Sequence, residues 1–208
     1  MTNTSRPLGF GAVVLCGGHS RRMGRSKAWL SFGSEPLLAR VVRRLSTVAH
    51  PIVVVRAAGQ TIPDLPSHVL VTEDATADRG PLQGLAAGLS LLKEHSEAAF
   101  VSSTDAPFVD PLVVKHLAAL RETSHDLVVP HALGRHHPLA AVYALSVLRT
   151  IEDMLKHDQL RVMDLVRRVQ TRVIEEDELR RIDPGLRFLM NVNTPEDYAA
   201  ALAADVAD

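Results

Sequence analysis

Four groups of residues in this chain combine types and spacing that suit chemistry. The first is a glycine-rich basic stretch that begins where an apolar run, Phe10 to Cys16, ends. Gly17 and Gly18 open it, Gly24 interrupts it, and Arg21, Arg22, Arg25 and Lys27 give it local positive charge. Glycine lets the backbone turn at positive φ and approach a ligand closely. Successive N–H groups in such a turn form a concave nest for anion oxygens, and arginine meets phosphate in a two-pronged fork. The stretch is neither a P-loop nor a Gly-x-Gly-x-x-Gly fingerprint: five residues separate Gly18 from Gly24, and Gly24 is followed by Arg25, Ser26 and Lys27. It reads as a phosphate-holding loop, or otherwise as a solvated basic loop behind a core strand.

The second group is acidic. Asp105 follows an apolar run and precedes Ala106 and Pro107, and the proline holds Ala106 extended. A carboxylate at such a strand exit can bind Mg²⁺, which takes oxygen ligands, waters and phosphates, or it can cap a turn. Asp74 stands at the end of another apolar run, in a loop with Glu73, Asp78, Gly80 and Gly84. It can contact a ribose, help place a metal, or be a solvated loop acid.

The third group is Asn191 and Asn193, either side of Val192. In an extended segment both amides project to one face, where each offers a donor and an acceptor. They can orient a phosphate, a metal or a second substrate, or Asn193 can shape the turn into the next helix. The fourth group is His131, His136 and His137. Zinc is discounted, because the one cysteine is far away in sequence and no His-x-x-x-His pattern occurs. The pair His137 and Pro138 reads instead as part of a substrate loop. No Gly-x-Ser-x-Gly elbow is present, and Cys16 reads as a small buried residue.

The elements that must position these groups follow from hydrophobic periodicity. Strands are expected at Phe10–Cys16, Ile52–Val55, His68–Val71, Ala98–Val101, Asp126–Val129 (stopped by Pro130), Leu139–Tyr143, Thr171–Ile174 and Phe188–Val192. Helices are expected from Leu37, from Leu82 to Leu92, from Asp110 to about Leu120, over Ser146–Lys156 and Val162–Val169, and from Thr194. Residues 57–67 and 175–185 read as loop. The alternation predicts one α/β domain over 9–203, three layers with a mostly parallel sheet in the manner of a Rossmann-like fold. Ligands of such sheets lie beyond the carboxyl ends of strands, so the four groups are expected to share one rim. Residues 1–8 and 204–208 are expected to be flexible termini.

Size and composition agree. A chain of 208 residues, 46% hydrophobic and 23% charged, suits one soluble domain. The net charge of −1 gives no bulk attraction to nucleic acid or membrane. A single cysteine excludes an intrachain disulfide and fits a reducing compartment. No apolar run approaches membrane-spanning length, and the first residues lack the apolar core of a signal peptide, so a cytoplasmic protein is expected.

Taken together the motifs resemble one family. Leu15 to Gly18, Ser20 to Gly24 and Lys27 resemble the N-terminal signature of nucleotidyltransferases. Glu73 and Asp74, Gly80-Pro-Leu-Gln-Gly84, Asp105-Ala-Pro, His137 with Pro138, and Asn191-Val-Asn-Thr-Pro195 follow in the order seen in molybdenum cofactor guanylyltransferases. The resemblance implies the nucleotide-diphospho-sugar transferase type of fold. It implies transfer of GMP from GTP to Mo-molybdopterin with release of pyrophosphate, assisted by Mg²⁺, and molybdoenzymes or their chaperones as partners. By resemblance Leu15, Cys16, Gly17, Gly18, Asp74 and Gly80 would contact the nucleotide. Lys27, Arg22 and Asp105 would act at its phosphates, with Asp105 holding the metal, and Asn191, Asn193 and His137 would face the second substrate. Cys16 stands in place of the usual alanine, Ser26 in place of an aspartate, and Arg56 where guanylyl enzymes often have a nucleotide-contacting asparagine. The first signature is shared with cytidylyltransferases for the same cofactor and with sugar-1-phosphate nucleotidyltransferases. A nucleotide or pterin carrier without catalysis is the alternative outside enzymes.

Overall fold

The computed structural model describes residues 9–17, 26–74 and 79–206. The first element of the described residues is strand β1 (Gly9–Leu15), and after a 3₁₀ turn at Lys27–Trp29 a small hairpin, β2 (Ser31–Phe32) and β3 (Glu35–Pro36), leads into helix α1 (Leu37–Leu45). Strands β4 (Ile52–Ala57) and β5 (Val69–Asp74), helix α2 (Pro81–Leu92), β6 (Ser96–Ser103) and α3 (Pro111–Ala119) follow. Then come β7 (Leu127–Ala132), β8 (Arg135–His136), β9 (Ala141–Ala144), α4 (Leu148–Lys156), α5 (Val162–Arg168), β10 (Thr171–Glu175), α6 (Glu176–Arg180) and α7 (Pro195–Val206).

The strand order is β10-β7-β9-β6-β1-β4-β5, with β8 paired to β7. β1 pairs in parallel with both β4 and β6, β4 with β5, and β7 with β10; β9 runs against β6 and β7. The expected mostly parallel sheet is therefore present. The near-continuous apolar runs of β1 and β4 reflect burial on both faces. Ala12, Val14, Ile52 and Val54 pack with α1 and α3 on one side. Val13, Leu15, Val53 and Val55 pack with α2, α4 and α5 on the other.

α2 approaches β1 closely, and Gly88 is the reason: an added Cβ there would lie 2.4 Å from Val13 Cγ1. At the N-cap of the same helix Gly80 adopts φ 72°, a conformation costly for any other residue. A third cluster lies apart from the sheet faces, where Leu30, Phe32, Leu37, Phe108 and Val192 are covered by α7 through Ala201.

Three local expectations are corrected. Strand β7 continues through Pro130 to Ala132, because its last residues pair with β8 and β10, and Pro130 contributes its carbonyl to His137 N (2.9 Å). Residues 176–180 are helical rather than loop, held by buried Leu179 and an Arg180–Glu176 pair one turn apart. The stretch from Phe188 to Val192 is no strand; Arg187–Leu189 forms a 3₁₀ turn in which neighbours Phe188 and Leu189 are both buried, against the alternation of a strand. Helix α7 also runs through residues expected to fray, and Asp205 forms an ion pair with Arg40.

Candidate active site at the carboxyl rim of the sheet

β1, β4, β5 and β6 run in one direction, so Leu15, Ala57, Asp74 and Ser103 end on one rim. The exits are fastened together. Leu15 O accepts from Thr104 N (3.0 Å) and from Thr104 Oγ1 (3.3 Å), and Cys16 N donates to Val55 O (2.7 Å). Beyond them lies a cleft of about 510 Å³. Leu15, Gly17, Val55, Ala57 and Ala58 line it from the ends of β1 and β4, Asp74 from the end of β5, Gly80, Pro81 and Gly84 from the start of α2, and Ser103, Asp105, Leu139 and Asn191 complete it.

Lys27 ties this rim to the far end of the chain. Its Nζ donates to Asp105 Oδ2 (2.9 Å) and to Asn193 Oδ1 (2.9 Å). The Lys27 and Asp105 side chains are only 20% and 18% exposed. Ser103 Oγ donates to the other carboxylate oxygen of Asp105 at 2.5 Å. Asn193 is placed by backbone economy. Val192 N donates to Asp105 O (2.8 Å) and its side chain is buried, so Asn191 and Asn193 both emerge on the exposed side.

The start of α7 is held reciprocally, as in a capping box. Asn193 N and Thr194 N donate to Asp197 Oδ2 at 3.0 Å, and Asp197 N donates to Thr194 Oγ1 at 3.1 Å. The Asn193 N–H, then the Thr194 N–H, hold the Asp197 carboxyl below its ordinary range.

The structure thus brings Leu15, Gly17, Asp74, Gly80, Asp105 and Asn191 around one cleft, with Lys27 bridging Asp105 and Asn193 at its edge. Gly18 and Arg22 lie outside the described residues. Cys16 is 8% exposed, and burial pushes its thiol pKa up, so it is neutral and packed. His137 is buried; its Nε2–H donates to Ala132 O (3.0 Å), and burial pushes its pKa down. It lines a second cavity of about 200 Å³, together with Ser102, Arg135 and Phe188, and Asn191 and Leu139 line both spaces. Arg56 does not line the cleft; its Nη1 donates to Gln60 O (3.0 Å) and its Nη2 to Glu73 Oε1 (2.9 Å). The His131 and His136 rings lie 4.8 Å apart, tilted by 41°, and His131 Nδ1 faces Glu175 Oε2 at 3.0 Å.

Sequence reasoning passed over Ser103, Ala57 and Ala58, which bear no distinctive chemistry. The strand-exit rule that singled out Asp74 and Asp105 would have found them.

A mostly parallel sheet whose rim joins a glycine-marked strand exit to a Lys–Asp pair suits the binding of a nucleotide and its phosphates. Residues 12–173 match the model of the MobA-like NTP transferase domain, and the chain belongs to that family. It is 36% identical over 199 residues to a probable molybdenum cofactor guanylyltransferase of Methanosarcina mazei, covering 89% of this chain and 87% of that one. It is 32% identical to a molybdenum cofactor guanylyltransferase of Desulfosudis oleivorans, covering 92% and 94%. The crystal structure of molybdopterin-guanine dinucleotide biosynthesis protein A from Archaeoglobus fulgidus has the same fold, with TM-score 0.79 and 23% identity over 95% of this chain and 100% of that one.

Proposed function

We propose that this nucleotidyltransferase is a molybdenum cofactor guanylyltransferase, which moves GMP from GTP to Mo-molybdopterin and releases pyrophosphate. The observation that carries the reading is the contact of Lys27 with both Asp105 and Asn193 at the edge of the cleft. It joins a cation for phosphates, an acid for a metal and an amide for an acceptor. The names of the relatives support the choice of base and acceptor.

Nucleotidyl transfer needs alignment and charge neutralisation more than covalent help from the protein. The nucleoside would lie along Leu15, Gly17 and Ala57, with Asp74 toward the ribose and Gly80 beside it. A phosphate oxygen of the acceptor, oriented by Asn191 and Asn193, attacks the α-phosphorus. As that O–P bond forms, the bond from the α-phosphorus to the bridging oxygen breaks, and pyrophosphate carries the charge away. Lys27 neutralises charge on the triphosphate and the leaving group, assisted by Arg22. His137, neutral and hydrogen-bonded, keeps the second cavity in shape on the acceptor side.

Asp105 fits Mg²⁺. It is a hard carboxylate on the cleft wall, beside the Ser103 hydroxyl, with space for the waters and phosphate oxygens this ion keeps. Bound there, Mg²⁺ would polarise and neutralise phosphate oxygens. On this reading the protein works in the cytoplasm and its product serves molybdoenzymes or their chaperones.

Pyrophosphate release with Mo-molybdopterin and each of the four NTPs tests the reading. GTP is expected to be preferred, and Lys27→Ala and Asp105→Ala each to lose at least about 10²–10³-fold in turnover while folded. Preference for CTP, turnover only with sugar phosphates, or GTP binding without turnover would each replace the proposal by the corresponding alternative. Near-normal turnover in Asp105→Ala would remove the metal assignment.

A further inference from the structure

The turn that follows β4 is wired to both described shoulders of the glycine-rich loop, and a single side chain makes most of the wiring. Ala57 to Gln60 form a tight turn closed by Gln60 N donating to Ala57 O (3.0 Å). The Gln60 carboxamide folds back over it. Its Oε1 accepts from Ala57 N (2.9 Å), while its Nε2 donates to Cys16 O (3.1 Å) and approaches Ser26 Oγ (3.4 Å). The orientation is dictated by chemistry, because an N–H can face only the amide oxygen and a carbonyl only the amide nitrogen. Cys16 precedes the loop and Ser26 leaves it, one residue before Lys27. A second link runs parallel: Trp29 Nε1 donates to Thr61 O (3.1 Å). On its outer side the turn is braced to β5 through Arg56, which bridges Gln60 O and Glu73 Oε1.

Resting on the reading of the cleft as a nucleotide site, we infer that Gln60 is a positioning residue for the nucleotide. Gly17 opens the loop, and Ala57 and Ala58 belong to the turn; all three line the cleft, and Lys27 stands at its edge just past the loop. Strand pairing reaches only the roots of these two segments: the β1–β4 ladder ends at Leu15 and Val55, and one further bond, Cys16 N to Val55 O (2.7 Å), continues it. Beyond that bond the carboxamide carries the spacing on to the turn. One amide holds the turn closed with its oxygen and the loop against the turn with its nitrogen. The triphosphate side and the nucleoside side of the ligand therefore meet a wall of fixed width. Ser26 Oγ serves as a second acceptor for this amide.

Gln60→Glu separates the two halves of the device. The carboxylate keeps the acceptor for Ala57 N and loses the donor to Cys16 O and Ser26 Oγ. Gln60→Met keeps length and removes both. Dissociation constants for GTP–Mg²⁺ are read from the fluorescence of Trp29, the only tryptophan, and KM and kcat from pyrophosphate release. Losing one hydrogen bond that orders a site is expected to weaken nucleotide binding about tenfold in Gln60→Glu. KM should rise in step, with kcat and the melting temperature nearly unchanged. Amide exchange in the ligand-free variant should quicken at residues 16–17 and 26–29. Unchanged affinity, or a fall in melting temperature with unchanged KM, would overturn the inference by making Gln60 a structural residue. Each variant is titrated with whichever NTP the wild type prefers, so a wrong base and a wrong role for Gln60 fail separately. Exchange in the free protein decides the point even where no nucleotide binds: unchanged exchange at both shoulders overturns it.

Discussion

At the edge of the cleft the Lys27 ammonium bridges two oxygens, Asp105 Oδ2 and Asn193 Oδ1. Asp105 is in turn held by the Ser103 hydroxyl. Ser103→Ala frees one carboxylate oxygen while leaving the Lys27 contact. It is expected to raise the Mg²⁺ concentration needed for half-maximal turnover several-fold with kcat at saturating metal little changed, which a metal titration would read. His137 gives a second outcome at this scale. Burial lowers its folded-state pKa below the unfolded value, so below about pH 6.5 the unfolded chain binds a proton that the folded chain resists. Its contribution is present above that value and is lost as pH falls. Thermal unfolding between pH 8 and 5 should therefore steepen on the acid side in the wild type and less so in His137→Gln.

At the scale of elements, two contacts set where the site residues stand. α2 lies on β1 because Gly88 has no side chain, and Gly88→Ala would press a methyl into Val13 and Val55. Overpacking of this kind costs about 1–3 kcal/mol, and chemical denaturation should read a loss in that range. The α7 cap places Asn193. Removing the Thr194 hydroxyl, Thr194→Ala, is expected to cost about 1 kcal/mol and, on the proposed reading in which Asn193 faces the acceptor, to raise KM for the acceptor more than KM for GTP. Element identity was largely legible in sequence: the runs at Phe10–Cys16 and Ile52–Val55, and the Asp110–Pro111 and Thr194–Pro195 helix starts, all carry local signals. α6 was not, because five residues with one buried leucine present no period to detect. The stretch from Phe188 to Val192 misled for the opposite reason: its apolar run resembles a strand, yet it covers the core cluster as a 3₁₀ turn.

Across the whole molecule, the C-terminal helix returns to the first third of the chain. Arg40, 9% exposed, donates through Nη1 to Asp205 Oδ2 (3.3 Å), pairs through Nη2 with Asp205 Oδ1, and reaches Pro107 O through Nε (3.0 Å). Its guanidinium also lies 4.6 Å from the Phe32 ring centre. Asp205→Ala would leave that charge buried with only the carbonyl and ring faces. A cost of about 3 kcal/mol is expected, because an unpaired buried charge is worse than none. Arg40→Met in the same background should recover part of it, read as the coupling in a double-mutant cycle.

The sequence by itself determined the kinds and order of the elements, and which strand exits carried glycines, acids and amides. Those are local properties, written in periodicity and in residue types that restrict the backbone. Only the tertiary structure decided that Lys27 meets Asp105, 78 residues away, and Asn193, 166 residues away. It also decided that Gln60 joins the loop to the turn. Those meetings depend on β1 lying between β4 and β6, and strand order is chosen by the packing of helices on both faces. No single segment carries that choice, so no local reading reveals it.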